Sequence, residues 1–435
     1  MGSQEMQTAF VGSALKPNWL HSALLVATAI CAYLAVPLMA GGRLLVPSFP
    51  TVALIPFLYL AVRRNVTTTD FSFLLQVSLV LLLSIALSPG YMYIEQKMFA
   101  LIQCAMAITV AVLLVRLMQQ LPHKSLERAL LVLWCIIMIG AVLEVLEVIR
   151  GASDAFRAWA YSGTYTLYEA DMRDYDLVGW SRPKLFSSEP SHVTKFFIAA
   201  INAWLLVRVT WGKAAVVACA TVLMLVIMGS PMLLVSAAMT LAILVWNQRA
   251  KLGARVATVT IVMLLGALVG AYFAEETFSK VAARVAKVDP SSTSVEGAPS
   301  SEERRMLIPY LTLADTLLRW PLFGAGIGGK EVVVQHNRLP VSNPKEALGN
   351  NAFADIGIYL GIVGGAWFIF LLLMQARRSG VRRLWLLVAL VVLFSQLVGG
   401  FDSFRYWGFI ALFWGALTVA DVVADPGSRA AFGKT

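Results

Sequence analysis

Charged and aromatic side chains that could carry out chemistry are concentrated in two polar segments, residues 151–191 and 274–351. The first segment leads into Ser188-Glu189-Pro190, which is typical of a helix start, because Pro is favoured at the first helical position and Ser or Glu can accept free N–H groups. Glu189, His192 and Lys195 then recur every three residues and share one face of that helix. The pattern predicts either a simple cap at Glu189 or a partly desolvated carboxylate that acts as a base.

Aromatic residues in the same segment alternate with carboxylates, as at Asp174-Tyr175-Asp176. Aromatic faces suit the C–H faces of sugar rings, and carboxylates accept hydrogen bonds from sugar hydroxyls. The alternative for any single tyrosine, Tyr175 included, is an aromatic belt at a membrane interface. Both interpretations stay open.

The second segment contains two arginines at the start of a predicted helix from Arg304 to Arg319. Arg304 and Arg305 lie in its first turn, where a cation is unfavourable for the helix dipole. This placement indicates an anion ligand, and solvation or pairing with Glu302 or Glu303 is the alternative.

A glycine-rich stretch, Leu322 to Gly329, follows that helix. It lacks the Lys-Ser/Thr and the βαβ pattern of a nucleotide loop, so we expect a tight turn that backbone or substrate approaches closely. His336 comes next and is either a surface residue or a catalytic one. Neither His192 nor His336 has the short spacings of a metal site, so we predict no metal and no cofactor.

The elements that must position these residues are membrane helices. Of the 435 residues 59% are hydrophobic and 14% are charged, with a mean hydropathy of +0.74. An ordinary soluble domain is about 25% charged, so the composition excludes most soluble proteins. We predict an all-α polytopic membrane protein with about 12 spans, between 10 and 12. The predicted spans are 20–40, 46–62, 71–87, 98–116, 129–147, 192–208, 214–228, 231–247, 256–273, 352–374, 384–399 and 407–423.

The distribution of Lys and Arg predicts the orientation. Placing both termini in the cytoplasm gives 17 of the 35 basic residues to the cytoplasmic connections, against Arg43, Lys97 and Arg405 in the short connections opposite. The net charge of +10 is therefore mainly a topology signal, and we predict no nucleic-acid partner. The predicted organisation is helices 1–5 in 1–150, a periplasmic loop in 151–191, helices 6–9 in 192–273, a second periplasmic loop in 274–351, and helices 10–12 with a cytoplasmic tail in 352–435.

Four segments together resemble the bacterial O-antigen polymerase and ligase superfamily, most closely the Wzy-type polysaccharide polymerases. Arg182 to Ser191 is similar to Arg-x-x-Gly-x-x-x-Glu-Pro-Ser without its Gly, and Arg304 or Arg305 matches an Arg that opens the large-loop helix. Pro321 to Gly326 is similar to Pro-x-x-Gly-x-Gly. Asn350-Asn351-Ala352-Phe353 with Gly361-Ile362-Val363-Gly364 is similar to a His-Asn-x-Phe/Tyr segment followed by Gly-Ile-x-Gly.

The fourth segment departs from the pattern at two positions. The pattern's His is Asn350 here, and its usual Glu is Tyr359. Either His336-Asn337 replaces that His through a local insertion, or this chain does without it.

The resemblance implies a GT-C-like glycosyltransferase of the bacterial inner membrane, with its active site on the periplasmic face. Its substrates would be undecaprenyl-pyrophosphate-linked oligosaccharides, and membrane lipids would surround it. A chain-length regulator is a candidate partner. Glu189 or His336 would be the catalytic base or acceptor orienter. The residues expected to bind pyrophosphate or glycan are Arg182, Arg304, Arg305, His192, Lys195, Tyr175, Asn350 and Asn351.

Three functions compete on this basis. A polymerase would extend repeat units, and the Glu-Pro-Ser segment and the missing His at 350 favour it. A ligase would move finished polymer to a lipid A core or a protein, which His336-Asn337 keeps open. A flippase or other carrier of lipid-linked glycans would form no bond.

Overall fold

The computed structural model describes residues 19–40, 43–161, 174–175, 178–247, 308–336, 351–396 and 398–424. Within these ranges the chain is predominantly helical, and the only sheet there is one short antiparallel hairpin. The hairpin pairs β1 (Leu38–Ala40) with β2 (Arg43–Val46). The predicted helical fold class is therefore confirmed.

The helices that precede the first polar segment fall at the predicted spans with differences at their ends, and one further helix lies inside that segment, where no span is predicted. In chain order they are α1 (Trp19–Leu34), α2 (Phe49–Ala53), α3 (Ile55–Val62), α4 (Thr68–Ala86), α5 (Ile94–Gln120), α6 (His123–Val145) and α7 (Arg150–Ala160). A 3-10 turn, Tyr91–Tyr93, leads directly into α5.

The later helices complete the bundle. They are α8 (Pro190–Val207), α9 (Trp211–Met228), α10 (Leu233–Asn247), α11 (Ile308–Arg319), α12 (Lys330–His336), α13 (Ala352–Arg378), α14 (Leu384–Ser395) and α15 (Phe404–Ala424). Only a short turn separates α9 from α10, and Gly229 ends α9 in the left-handed conformation with φ of 53°.

Five helical stretches are long and apolar enough to cross a membrane. They are Thr68–Ala86, Tyr91–Gln120, His123–Val145, Trp211–Met228 and Ala352–Arg378. Shorter apolar helices are Trp19–Leu34, Phe49–Val62, Leu233–Asn247 and Leu384–Ser395. The chain is thus a helical membrane protein by length and composition. The total of twelve spans stays a prediction, and the span predicted at 256–273 lies outside the described residues.

Two predicted spans end or break earlier than expected. The span predicted at 20–40 stops at Leu34, because Ala35 is left-handed with φ of 47° and the chain then turns into the β hairpin. The span predicted at 46–62 is split at Leu54 into α2 and α3, each of which begins with a proline in its first two positions. Proline lacks an N–H and cannot continue a preceding helix without a clash.

The centre of the bundle is α8, in which every residue from Val193 to Val207 is buried. It packs against α6 and α15, and α15 in turn packs along α5. α13 packs against α4 and α11. A helix that is apolar all round belongs inside a bundle, so α8 is a fixed support for the residues at its first turn.

One end of the bundle contains the last turn of α1 and the first turns of α8 and α15. The Arg405 side chain donates to Tyr33 O and Leu34 O at 2.8 Å each. Ala352 N at the start of α13 donates to Val398 O at 2.8 Å. We call this the site end, and it is the end that the charge distribution predicts to be periplasmic.

The opposite end is tied by a buried ion pair. Arg116 Nη2 lies 2.7 Å from Asp70 Oδ1, and Gln375 Nε2 donates to the same oxygen. The three side chains come from α5, α4 and α13. These contacts fix the register of the helices, and hence the positions of their first turns at the site end.

Candidate functional site

Arg182 is fixed by a buried carboxylate. Its Nε donates to Asp174 Oδ1 at 2.7 Å, and its backbone N donates to Asp174 Oδ2 at 3.3 Å. The Asp174 side chain is 0% exposed and that of Arg182 is 14% exposed. Tyr175, next to this carboxylate, is exposed. A guanidinium held in this way is a fixed cation at the site end, suited to bind phosphate oxygens.

Glu189 occupies the N-cap position of α8 but does not act as a side-chain cap. Its carboxylate accepts a hydrogen bond from Ser191 Oγ at 2.9 Å, and it makes no bond to the helix N–H groups. The residue is exposed. The prediction that the Glu189 carboxylate is partly desolvated is therefore wrong. The carboxylate is accessible to a ligand.

His192 lies one turn into α8 between a hydroxyl and a guanidinium. Its Nε2 is 3.0 Å from Arg405 Nη1, and its Nδ1 is 3.4 Å from Ser188 Oγ. Because a guanidinium can only donate, Nε2 accepts, and the imidazole proton is assigned to Nδ1. His192 thereby joins α8 to α15 beside the Glu189 turn.

Lys195 lies one further turn into α8. It is buried, whereas His192 is half-buried and Glu189 is exposed. Burial thus increases along the face that the three-residue spacing predicts. Glu189 is thus the accessible end of this series, and the face shared by the three residues stays a prediction.

Between Arg182 and Glu189 the chain makes a left-handed turn without glycine. Leu185 has φ of 43° and Phe186 has φ of 62°. Counted from Arg182, the Gly of the Arg-x-x-Gly pattern falls on Leu185. The position therefore has the backbone conformation that glycine adopts most readily, although its residue is leucine.

Two side chains, Glu144 from α6 and Ser153 from α7, accept the N–H groups of this turn. Lys184 N donates to Glu144 Oε1 at 3.1 Å, and Leu185 N donates to Glu144 Oε2 at 2.7 Å. Phe186 N donates to Ser153 Oγ at 3.0 Å, and that hydroxyl donates to Glu144 Oε1 at 3.2 Å. Three successive N–H groups therefore converge on one carboxylate and its hydroxyl partner.

The carbonyl groups of the same turn are also bonded. Tyr33 Oη donates to Leu185 O at 2.9 Å, and Tyr161 Oη lies 3.1 Å from Phe186 O. Arg157 Nε donates to Ser187 O at 2.9 Å. Side chains of α1, of α7 and of the residue that follows α7 thus bond the backbone of this turn.

The glycine-rich stretch pairs with a break inside α13. Gly361 has φ of 66° and ψ of −166° within that helix. Ala325 N donates to Ile358 O at 2.9 Å, and Gly326 N donates to Tyr359 O at 3.0 Å. Ile362 N donates back to Pro321 O at 2.8 Å. The predicted close approach of backbone is confirmed, and these N–H groups serve the fold.

A side chain at either glycine would not fit this pairing. A Cβ atom on Gly324 would lie 2.4 Å from Ile358 O, and one on Gly361 would lie 2.6 Å from Gly324 N. The two glycine motifs therefore form a single interlocked unit, which we call the glycine lock: residues 321–326 with residues 358–364.

Asn351 has a structural position. Its side chain accepts from Ala354 N at 3.1 Å as the N-cap of α13 and donates to Gln396 Oε1 at 3.0 Å. The residue is fully buried. Its predicted contact with substrate is therefore not supported by this arrangement. Arg304, Arg305 and Asn350 lie outside the described residues.

His336 ends the short helix α12 in a different part of the site end. Its Nδ1 is 2.9 Å from Val332 O, and its ring stands edge-on to Trp320 with centroids 5.5 Å apart. The residue is exposed. His336 thus contacts Val332 and Trp320. Arg182 and Glu189, in contrast, lie at the two ends of the segment that contains the left-handed turn.

Several residues of the site were missed from the sequence. Glu144, Ser153 and Arg157 hold the left-handed turn, and Arg405 binds His192. The only sequence signal for Arg405 is that it is one of few basic residues on the predicted periplasmic side.

Asp402, in the loop before α15, also lies at the site end. Burial raises the pKa of its carboxyl, and the positive charge of Lys330 opposes that shift.

Among the described residues, no group of three His, Cys, Asp or Glu side chains is arranged to hold a metal ion. No protein-family model matches the chain, and no curated protein matches it.

Proposed function

We propose that this protein is a polysaccharide polymerase that acts on lipid-linked repeat units at the site end. The acceptor hydroxyl oxygen would form a bond to the anomeric carbon of the growing glycan, with inversion. The bond from that carbon to undecaprenyl pyrophosphate would break, the pyrophosphate would leave with the bonding electron pair, and the hydroxyl proton would pass to a base.

One observation supports this proposal more than any other. Leu185, which occupies the glycine position of the Arg-x-x-Gly-x-x-x-Glu-Pro-Ser pattern, is left-handed with φ of 43°. A chance similarity of sequence gives no reason for a positive φ at the one position where the pattern has glycine and this chain does not. Glycine would adopt the backbone conformation of this position without steric cost, and this supports the match to the pattern.

The roles follow from the chemistry of the two residues that the turn joins. Arg182, fixed by Asp174, would stabilise the charge that develops on the pyrophosphate oxygens. Glu189, exposed at the first turn of α8, would take the proton from the acceptor hydroxyl. His336 is the second candidate for the base, because its imidazole is also exposed.

The glycine lock gives independent support. The Pro-x-x-Gly-x-Gly and Gly-Ile-x-Gly segments are separate in the sequence, yet the backbone of one donates to the other at Ile358 and Tyr359. Two motifs that occur together in one superfamily thus have a physical reason to occur together here.

The test is to incubate the purified protein with undecaprenyl-pyrophosphate-linked repeat units and to separate the products by size. A polymerase gives a ladder spaced by one repeat unit. A single transfer of preformed polymer to a lipid A core or protein acceptor would instead support a ligase that uses His336. Translocation across vesicles without any new glycosidic bond would contradict both enzymes and support a carrier.

A further inference from the structure

The N–H groups of Lys184, Leu185 and Phe186 form a ring around two linked acceptors: the first two donate to the Glu144 carboxylate, and the third donates to the Ser153 hydroxyl that is bonded to it. Successive N–H groups in right- and left-handed turns commonly form an anion-binding concavity of this kind. Here the anion is a side chain of the protein, 2.7 Å from Leu185 N and 3.1 Å from Lys184 N. Glu144 is buried, with 2% exposure.

The ring is needed because the turn is strained. Leu185 and Phe186 are both left-handed, a conformation that side chains disfavour. The Leu185 side chain is also held by packing, since a Cβ atom on Gly140 would lie 2.9 Å from Leu185 Cδ2. Gly140 and Glu144 lie one turn apart on the same face of α6, so this helix provides both the carboxylate that accepts the N–H groups and the gap that the Leu185 side chain fills.

The held turn determines where two candidate functional residues lie. Arg182 is two residues before Lys184, and Glu189 is three residues after Phe186. Arg157 binds the carbonyls of Ser187 and Ser188 and continues the same restraint toward Glu189. A shift of the turn would therefore move Arg182 relative to Glu189.

We propose that Glu144 is a positioning residue: its carboxylate accepts the N–H groups of residues 184 and 185, orients the Ser153 hydroxyl that accepts the N–H group of residue 186, and thereby holds Arg182 and Glu189 in their reactive arrangement. The consequence for catalysis rests on the proposed function. The consequence for the turn itself does not, so the two can be tested separately.

The first measurement is hydrogen exchange of the purified protein in detergent, read by mass spectrometry on peptides covering residues 182–189. Glu144→Gln replaces one acceptor oxygen by an NH₂ group that would face N–H donors. We expect faster exchange in these peptides and unchanged exchange in the core of α8. Glu147→Gln is the matched control, because Glu147 is three residues away, exposed, and paired with Arg150 at 2.7 Å.

The second measurement is turnover of lipid-linked repeat units by the same variants. We expect Glu144→Gln to reduce turnover roughly 100-fold, the scale of loss when catalytic groups are misplaced by about 1 Å. Ser153→Ala removes the hydroxyl that accepts the N–H group of Phe186 without adding a donor, and should give a smaller loss in the same direction. It also keeps the test informative if Glu144→Gln does not fold.

Rescue distinguishes positioning from general stability. Leu185→Gly removes the steric cost of the left-handed backbone, so combined with Glu144→Gln it should recover about tenfold of the lost turnover. Leu185→Ala removes the same packing without this freedom and should recover none. Rescue by both substitutions or by neither would overturn the positioning role.

Unchanged exchange at residues 182–189 in Glu144→Gln would overturn the proposal whatever the activity. Faster exchange with wild-type turnover would overturn the link to Arg182 and Glu189. A wild-type protein that forms no glycosidic bonds, with exchange altered as expected, would count against the proposed function and leave the restraint of the turn by Glu144 established.

Discussion

At the scale of single residues, the central feature is a cation whose position depends on a buried acid. Asp174 is fully buried and bonds both the Nε and the backbone N of Arg182. Burying this charge pair costs desolvation energy. Its two hydrogen bonds, however, fix the direction in which the Arg182 guanidinium points. Direction is what a phosphate-binding guanidinium requires, because its two-pronged geometry must face the oxygens.

Asp174→Asn tests this dependence. The amide retains one acceptor oxygen and loses the negative charge, so Arg182 keeps its charge but loses its fixed orientation. We expect turnover of lipid-linked repeats, measured per amount of folded protein, to fall about 10- to 100-fold.

The matched control is Asp315→Asn on α11, where the carboxylate accepts from Arg319 Nη2 at 3.1 Å within the same helix. That pair lies outside the segment from Arg182 to Glu189, so its turnover should match wild type. Equal activity of Asp174→Asn and wild type would contradict the role given to the pair.

At the scale of elements, α13 is broken so that the glycine-rich stretch can enter it. The φ and ψ of Gly361, 66° and −166°, belong to a region that is essentially restricted to glycine. The freed backbone groups of the break are bonded by residues 321–326. This satisfies the requirement that irregular backbone within a membrane protein be bonded by the protein itself.

Gly361→Ala is therefore expected to lower the free energy of unfolding by about 3 kcal/mol, from backbone strain together with the clash at Gly324. Gly365→Ala, four residues along the same helix, is the control, because a Cβ there would meet nothing nearer than 3.6 Å. It should be neutral or stabilising by about 1 kcal/mol. Thermal unfolding in detergent, followed by tryptophan fluorescence, measures both, and equal melting temperatures would contradict the account of the break.

Sequence patterns predict some of these elements well and others poorly. The lengths of the apolar runs predict the bounds of α4, α5, α6 and α9 within a few residues. This works because each helix must keep its own apolar side chains out of water, and that requirement is visible in its own sequence. The glycines of the lock are visible in the sequence, but their pairing depends on segments that are distant along the chain. The amino-acid type of Leu185 gives no signal of its left-handed backbone, since the groups that bond this turn are distant along the chain, as is Glu144, 41 residues earlier.

At the scale of the whole molecule, the candidate residues lie at one end of the bundle and a buried ion pair lies at the other. Tyr175 is 47% exposed at the site end, and Asn65 is exposed beyond α3 toward the opposite end. The charge distribution predicts that the site end faces the periplasm. A substrate that arrives on the outer leaflet would need this orientation.

Cysteine labelling tests the orientation. In a background without Cys31, Cys104, Cys135 and Cys219, we expect a membrane-impermeant maleimide added to intact spheroplasts to label Tyr175→Cys and not Asn65→Cys. Both should be labelled after the membrane is permeabilised. Labelling of Asn65→Cys alone in intact cells would reverse the predicted topology.

The most direct measurement of the central claim compares wild type with Arg182→Ala in one reaction. Purified protein of each kind is given undecaprenyl-pyrophosphate-linked repeat units, and the products are separated by size. We expect a ladder of repeat units from wild type and none from Arg182→Ala, with both proteins equally folded. A wild-type reaction without a ladder, or a ladder of the same length and rate from Arg182→Ala, would contradict the account.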